Sequence, residues 1–321
     1  MSTQLIFDLS LWGASIAASL FIAYIKKDNI KYQLIALDLD GTTLTSDGYF
    51  SERTKTILER LSSNGATISI CTGRSVSSLL PLLNGINLGN CTIPAVCYNG
   101  SGVFLISNGY SSVKKIFSTP FDDESAEIVL QFARDRGLCA QYYNEDNGEV
   151  FAVAKTEIHR TLLSKYAKLT GRNQILISSY ESVIQAAKAA KILLLTNEPD
   201  EILAQARQYL HEDRFTLIRG SPHPFFIEVL PANISKGTGL VAMCRMLSIP
   251  LSGVVAFGDG ENDVEFLQNA GLGVAVKNAK DVAKLSAKLV LEVLLALFIL
   301  IIIDIIGAID GRDHSVFLFI N

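Results

Sequence analysis

At 321 residues, with 49% apolar and 19% charged side chains, the chain has material for about two ordinary domains and is too apolar to be disordered. A formal net charge of −4, with no Lys/Arg run longer than a pair, excludes a general electrostatic attraction to nucleic acid. The five cysteines include no Cys-x-x-Cys, so they signal neither a disulfide framework nor a zinc site and read as reduced thiols of a cytosol-like compartment.

Residues 1–30 form an N-terminal hydrophobic segment. It is uncharged from Leu9 to Ile25, extends to Leu5 if Asp8 is tolerated at its edge, and is closed by Lys26 and Lys27. That is just long enough to span a bilayer. No basic residue precedes the run and no small-residue cleavage site follows it, so an uncleaved anchor fits better than a secretory signal. A buried or amphipathic N-terminal helix is the alternative.

Residues 31–102 alternate short strands with helices. "YQLIALDLD" is an apolar run rich in β-formers, and "ERTKTILERLSSNG" has apolar residues at helical spacing with a Gly stop. "ATISICTGR" is the next strand, and "SVSSLLPLLNGI" resumes helical character with Pro81 at a first turn or a kink. Residues 103–222 change character. The strands "VFLIS", "KKIFS" and "AAKILLLT", the segment "CAQYYNEDNGEVFAVAK" and the helical "DESAEIVLQFARDRG" and "IHRTLLSKYAKL" predict an α+β insert with a largely antiparallel sheet. In residues 223–288 the first pattern returns: Ser235 and Lys236 open a helix, "SGVVAFGDGEND" is a strand ending in acids, "VEFLQNAG" is a short helix and "LGVAV" a further strand. This alternation predicts an α/β fold, a parallel sheet with helices on both faces, whose ligands sit beyond the carboxyl ends of the strands.

Residues 289–321 are an atypical hydrophobic C-terminal segment. "LVLEVLLALFILIIIDIIGAI" is interrupted only by Glu292 and Asp304, and its composition permits either insertion in a bilayer or packing as a final helix on the sheet. Lys277, Lys280, Lys284 and Lys288 precede it as Lys26 and Lys27 follow the first run, so both basic flanks face the central region. The positive-inside rule then gives a membrane-anchored protein with its catalytic region facing the cytoplasm, with a soluble cytoplasmic protein as the alternative.

Four short motifs carry the chemistry. Asp38 and Asp40 alternate at a strand's exit and so are expected to point to one side, with Gly41 allowing a sharp departure. Two carboxylates that close repel unless a cation or a shared proton lies between them; the plain alternative is a pair of solvated acids capping a loop. Thr72 and Gly73 offer a hydroxyl and a backbone N–H to an anion, or simply a turn. Lys236 at a helix start favours a phosphate oxygen, or is a surface lysine. In "GDGENDVEFL", Asp259 and Asp263 lie four apart around Asn262, a spacing that can aim two acids at one hard cation or cap the next helix.

In this order, "DLDGTTL", "CTGR", the lysine of "SKGTGL" and "GDGENDVEFL" resemble the four motifs of the haloacid dehalogenase (HAD) superfamily of phosphohydrolases. With "CYNGSGVF" ahead of a long insert, the chain is similar to its Cof-type subgroup, whose class IIB α/β cap lies between the second and third motifs. The resemblance covers about Tyr32 to Lys288. It implies a Rossmann-like parallel sheet core with a large inserted α+β cap, and a Mg2+-dependent phosphatase of small phosphorylated metabolites. Asp38 would be the nucleophile and Asp40 the acid and base. Asp38, the Asp40 backbone carbonyl, Asp259 and Asp263 would serve the metal, and Leu39, Thr72, Gly73, Lys236 and Asn262 the phosphate. A phosphomutase on the same scaffold, or a catalytically silent membrane-tethered binding protein, is the alternative. Tyr142, Tyr143 and Asn144 of the insert are expected either to read the leaving group or to be ordinary cap core.

Overall fold

Leu34–Leu37 (β2) is buried along its whole length, as a central parallel strand covered on both faces must be. The computed structural model describes residues 5–6, 32–63, 65–89, 91–107, 109, 111–220 and 225–291. Ahead of β2 stands only the short strand β1 (Leu5–Ile6) among the described residues. Helix α1 (Glu52–Ser63) buries one stripe, Ile57, Leu58 and Leu61, and leads to β3 (Thr67–Cys71). Helix α2 (Val76–Leu83) starts at Ser75, whose side chain accepts from the Ser78 N–H. Pro81 lies inside α2 rather than at its first turn, and the Ser77 carbonyl that it cannot serve accepts from Arg172 instead. Strands β4 (Ile93–Cys97), β5 (Gly102–Ser107) and β6 (Ser112–Ser118) follow, the last two antiparallel.

From Asp123 the chain leaves for a second sheet, through α3 (Asp123–Asp135), β7 (Cys139–Asn144), β8 (Val150–Ala152), α4 (Glu157–Thr170), β9 (Ile175–Leu176) and α5 (Glu181–Ala186). Then come β10 (Ala189–Leu195), α6 (Pro199–Tyr209), β11 (Phe215–Arg219) and β12 (Phe226–Pro231). The return comprises α7 (Lys236–Leu247), β13 (Val254–Gly258), α8 (Val264–Asn269), β14 (Leu272–Ala275), α9 (Asp281–Ser286) and β15 (Leu289–Val290).

The larger sheet runs β1-β15-β14-β13-β2-β3-β4-β5-β6, parallel from β1 through β4. The smaller runs β11-β12-β10-β7-β8-β9 and is antiparallel except at β8–β9. This is the α/β core with an inserted α+β cap that the sequence implied. The sheets do not change at the expected boundaries of 103 and 222, however: β5 and β6 extend the larger sheet, while β12 belongs to the smaller. Alternation along β2 sends Ile35 and Leu37 into one apolar cluster and Leu34 and Ala36 into another, so the sheet is cored on both faces.

Leu289, Val290 and Leu291 are buried, and β15 pairs with both β14 and β1. The C-terminal apolar block therefore begins as a strand of the sheet, not as a membrane span starting at Leu289. Likewise Leu5 and Ile6, counted into the extended anchor, lie in a strand. Among the described residues no helix is long and apolar enough to cross a membrane. The proposed anchor from Leu9 to Ile25 and the block from Glu292 onward lie outside the described residues, so anchoring finds no support here.

Candidate active site

The carboxyl ends of β2, β3 and β13 and the first turn of α7 meet at one place. β2 is followed by Asp38 and β13 by Asp259, and their parallel register brings these strand ends side by side. The Lys236 ammonium bridges Asp38 and Asp263, 2.5 Å from Asp38 Oδ1 and 2.7 Å from Asp263 Oδ1, with all three side chains buried. The Ser235 N-cap and its reciprocal bond with Thr238 start α7 at Lys236 and so fix the ammonium's origin.

Asp263 is held from two sides. One of its oxygens takes Lys236 and the other accepts from the N–H groups of Asp259 (3.0 Å) and Gly260 (2.8 Å). Thr42 Oγ1 donates to Asp259 Oδ1 at 3.0 Å, and Thr43 Oγ1 donates to the Asp38 carbonyl. One carboxylate oxygen each from Asp38, Asp259 and Asp263 lies within 4.8 Å of the others. The chain passes close here: Gly41 has φ +88°, and a Cβ on it would fall 2.3 Å from Asp259 Oδ2.

Burial raises the Asp38 carboxyl well above the ordinary carboxylate range, Asp263 and Asp259 add to the rise, and Lys236 opposes it. Asp259 is also raised, by burial first and then by Asp263. Burial works to lower Lys236, but Asp263 and Asp38 outweigh it and hold the ammonium firmly charged. The cluster thus has more negative charge than one lysine offsets.

The strand ends at Leu37, Asp38 is buried just past it, and Asp40 sits in the following turn with its side chain partly exposed. Its carboxylate takes both arms of Arg74, from Nε at 2.8 Å and from Nη2 at 2.5 Å. Leu39 is buried between them, and its carbonyl accepts from the N–H groups of Thr43 and Leu44. Thr72 is buried, with Oγ1 accepting from the Arg74 N–H at 3.1 Å. Gly73 lies next to it, at the foot of Asn99. Asn262 donates to Asn99 Oδ1 at 2.9 Å.

Four neighbours went unassigned in the sequence. Arg74 and Asn99 stand inside quoted motifs, but nothing in those motifs says that their side chains turn to the site. Lys191 and Glu228 carried a better signal, since each is a lone charge in an otherwise apolar strand. Of the three insert residues singled out, Tyr142 is cap core, donating to the Ala187 carbonyl at 2.6 Å. Tyr143 packs in the other cluster and donates to Gln141 Oε1, and Asn144 closes the β7–β8 hairpin.

Known proteins show the same organisation. A sequence profile described as haloacid dehalogenase-like hydrolase matches residues 35–293. Two proteins of Bacillus subtilis (strain 168) named as 5-amino-6-(5-phospho-D-ribitylamino)uracil phosphatases are similar along most of their length. YwtE is 26% identical over 266 residues, 78% of this chain and 89% of its own. YitU is 28% identical over 263 residues, 79% and 90% respectively. In fold, a haloacid dehalogenase-like hydrolase from Bacteroides thetaiotaomicron superposes with a TM-score of 0.73 at 24% identity, over 85% of this chain and 100% of its own. The HAD subclass IIB sugar phosphatase BT4131 gives 0.65 at 21%, over 80% and 92%. The profile takes in every residue of the cluster around Lys236, and the chain accordingly belongs to the haloacid dehalogenase-like hydrolases, as a phosphatase of the Cof type acting on small phosphorylated substrates.

Proposed function

We propose that this phosphatase is magnesium-dependent, forms an aspartyl-phosphate on Asp38 and takes phosphorylated metabolites such as sugar phosphates. The observation that carries the reading is the Lys236 ammonium lodged between Asp38 and Asp263 with Asp259 alongside, a buried surplus of negative charge at the ends of parallel strands. The donors fit a hard divalent cation, because they are oxygens only and converge with no thiol or imidazole among them. Asp38, Asp259 and the Asp40 backbone carbonyl would hold it. Asp263 serves chiefly to hold Lys236 and the turn after β13, where both its oxygens are already engaged. Magnesium bound there would offset the carboxylate repulsion and neutralise charge developing on the phosphoryl group.

The chain's own groups then divide the work. An Asp38 oxygen attacks phosphorus as the bond to the leaving oxygen breaks, which replaces one difficult displacement by two easier ones. Asp40, oriented by Arg74, gives a proton to the leaving oxygen and takes one from the water that later attacks the acyl phosphate. Lys236, the Thr72 hydroxyl, the Asn262 amide and the backbone N–H groups of Leu39 and Gly73 hold the phosphoryl oxygens. The cap in this reading is the smaller sheet with its helices, residues 119–231, and it supplies leaving-group specificity.

The test is orthophosphate release from sugar phosphates, nucleotides, pyridoxal phosphate and 5-amino-6-(5-phospho-D-ribitylamino)uracil, each with and without magnesium. Release from at least one class, dependent on magnesium and lost in Asp38→Asn, is expected. Metal-independent release, or turnover by Asp38→Asn near the wild-type rate, would overturn the mechanism.

A further inference from the structure

Two buried charges have no part in that chemistry. Lys191 on β10 is 2% exposed and Glu228 on β12 is 8% exposed, and they pair at 3.1 Å inside the smaller sheet. A buried ion pair is seldom more stabilising than apolar residues of the same size, so stability alone is a weak reason for this one. Their remaining bonds leave the smaller sheet. Lys191 Nζ donates to the Gly73 carbonyl at 2.8 Å, and Glu228 Oε2 accepts from Asn99 Nδ2 at 2.9 Å. Asn99 in turn accepts from Asn262 Nδ2 at 2.9 Å. A continuous polar chain therefore runs from two cap strands to the segment after β3 and the segment after β13.

We propose that Lys191 and Glu228 are positioning residues that make the seating of the cap set the phosphate-holding groups of the core. The Gly73–Arg74 peptide is fixed at both ends, its carbonyl by Lys191 and its N–H by Thr72 Oγ1. Asn99, held with φ 52° in the left-handed region, is gripped by Glu228 on one side and grips Asn262 on the other. A Cβ on Gly73 would lie 2.8 Å from Asn99 Nδ2, so the two segments are in register to within an atom's width. The Lys191 ammonium also stands 4.9 Å from the Tyr143 ring centroid, which braces it from the cap side. The proposal rests on the function proposed above for its ligand, a phosphate group.

The test is a double-mutant cycle on the full-length protein, read by calorimetric binding of inorganic phosphate with magnesium present and by hydrolysis of p-nitrophenyl phosphate. Lys191→Met/Glu228→Met removes both charges together, leaves neither orphaned and takes away the oxygen that Asn99 uses; Asn262→Ala cuts the far end. Each is expected to weaken phosphate binding about tenfold, and their combination also only about tenfold, because all three interrupt one chain. Losses that multiply to about a hundredfold, or phosphate affinity within about twofold of wild type in the charge-pair variant, would overturn the proposal. Should that variant fail to fold, Asn99→Gly keeps the left-handed backbone and removes only the amide. It is expected to weaken phosphate binding by a similar factor, and unchanged affinity there would be equally decisive against the proposal. A wild-type protein that binds phosphate and shows this coupling but hydrolyses no ester would sink the function and leave the positioning role. Hydrolysis with multiplying losses would do the reverse, and a wild-type protein that neither binds phosphate nor hydrolyses esters would sink both.

Discussion

Ionising Asp38 carries a cost that the fold itself sets. A carboxyl whose titration is raised on folding binds its proton more tightly in the folded than in the unfolded state, so stability falls as pH rises from the ordinary carboxylate value, near about 4, through the raised one. In metal-free buffer at neutral pH, Asp38→Asn is therefore expected to melt at a higher temperature than wild type while losing turnover. The gain should shrink as pH falls toward about 4, where the wild-type carboxyl is protonated too. Added magnesium should narrow the gap by binding wild type better. A variant that melts lower than wild type at neutral pH without metal would show that the bond to Lys236, not the burial, governs this side chain. Asp259→Ala should raise the magnesium concentration for half-maximal activity by about tenfold or more, since a hard cation loses one of few protein oxygens. An unchanged titration would remove Asp259 from the metal's contacts.

Among the elements, the turn from Tyr98 to Gly100 is tightly constrained. Tyr98, Asn99 and Gly100 all have positive φ, and a Cβ on Gly100 would fall 2.0 Å from the Ser235 carbonyl at the cap of α7. Gly100→Ala is thus expected to cost about 2–4 kcal/mol of stability, from left-handed strain and from pushing away the helix that carries Lys236. Chemical denaturation would check it, and a loss below about 0.5 kcal/mol would mean that the helix start moves freely. The elements themselves were legible: apolar runs gave the parallel strands, and spacing gave Ser235 and Lys236 at a helix start. Less legible were the partners of side chains just past strand ends. Asp40 takes Arg74, and that pairing is set by how two loops approach. Lys191 and Glu228 could have been flagged, because a charge in a strand buried on both faces needs a partner, but the identity of that partner is tertiary.

For the molecule as a whole, the sequence separated core from insert and misplaced the seams, since β5 and β6 look like any short strands and only pairing shows which sheet they join. The apolar block after Lys288 was misread at its start for the same reason: burial within a sheet and burial in a bilayer select the same side chains. Val290→Asp separates the two settings. Val290 is buried in β15, so a carboxylate there is expected to lower stability by about 2–4 kcal/mol in thermal unfolding of the purified protein, where unchanged melting would argue against the strand.

Asn99 followed by Gly100 also gives the protein a chemical clock. An asparagine ahead of glycine is the pairing most prone to lose its amide, because the unhindered next N–H can attack the side-chain carbonyl through a five-membered ring. Here the amide is engaged at both ends, by Glu228 and Asn262, and the left-handed backbone turns the attacking nitrogen away from the extended approach. Folded molecules should therefore age slowly at this bond and unfolded ones fast. A chain that spends time unfolded would return with a carboxylate facing Glu228, so conversion at this single bond would record how often each molecule has been open.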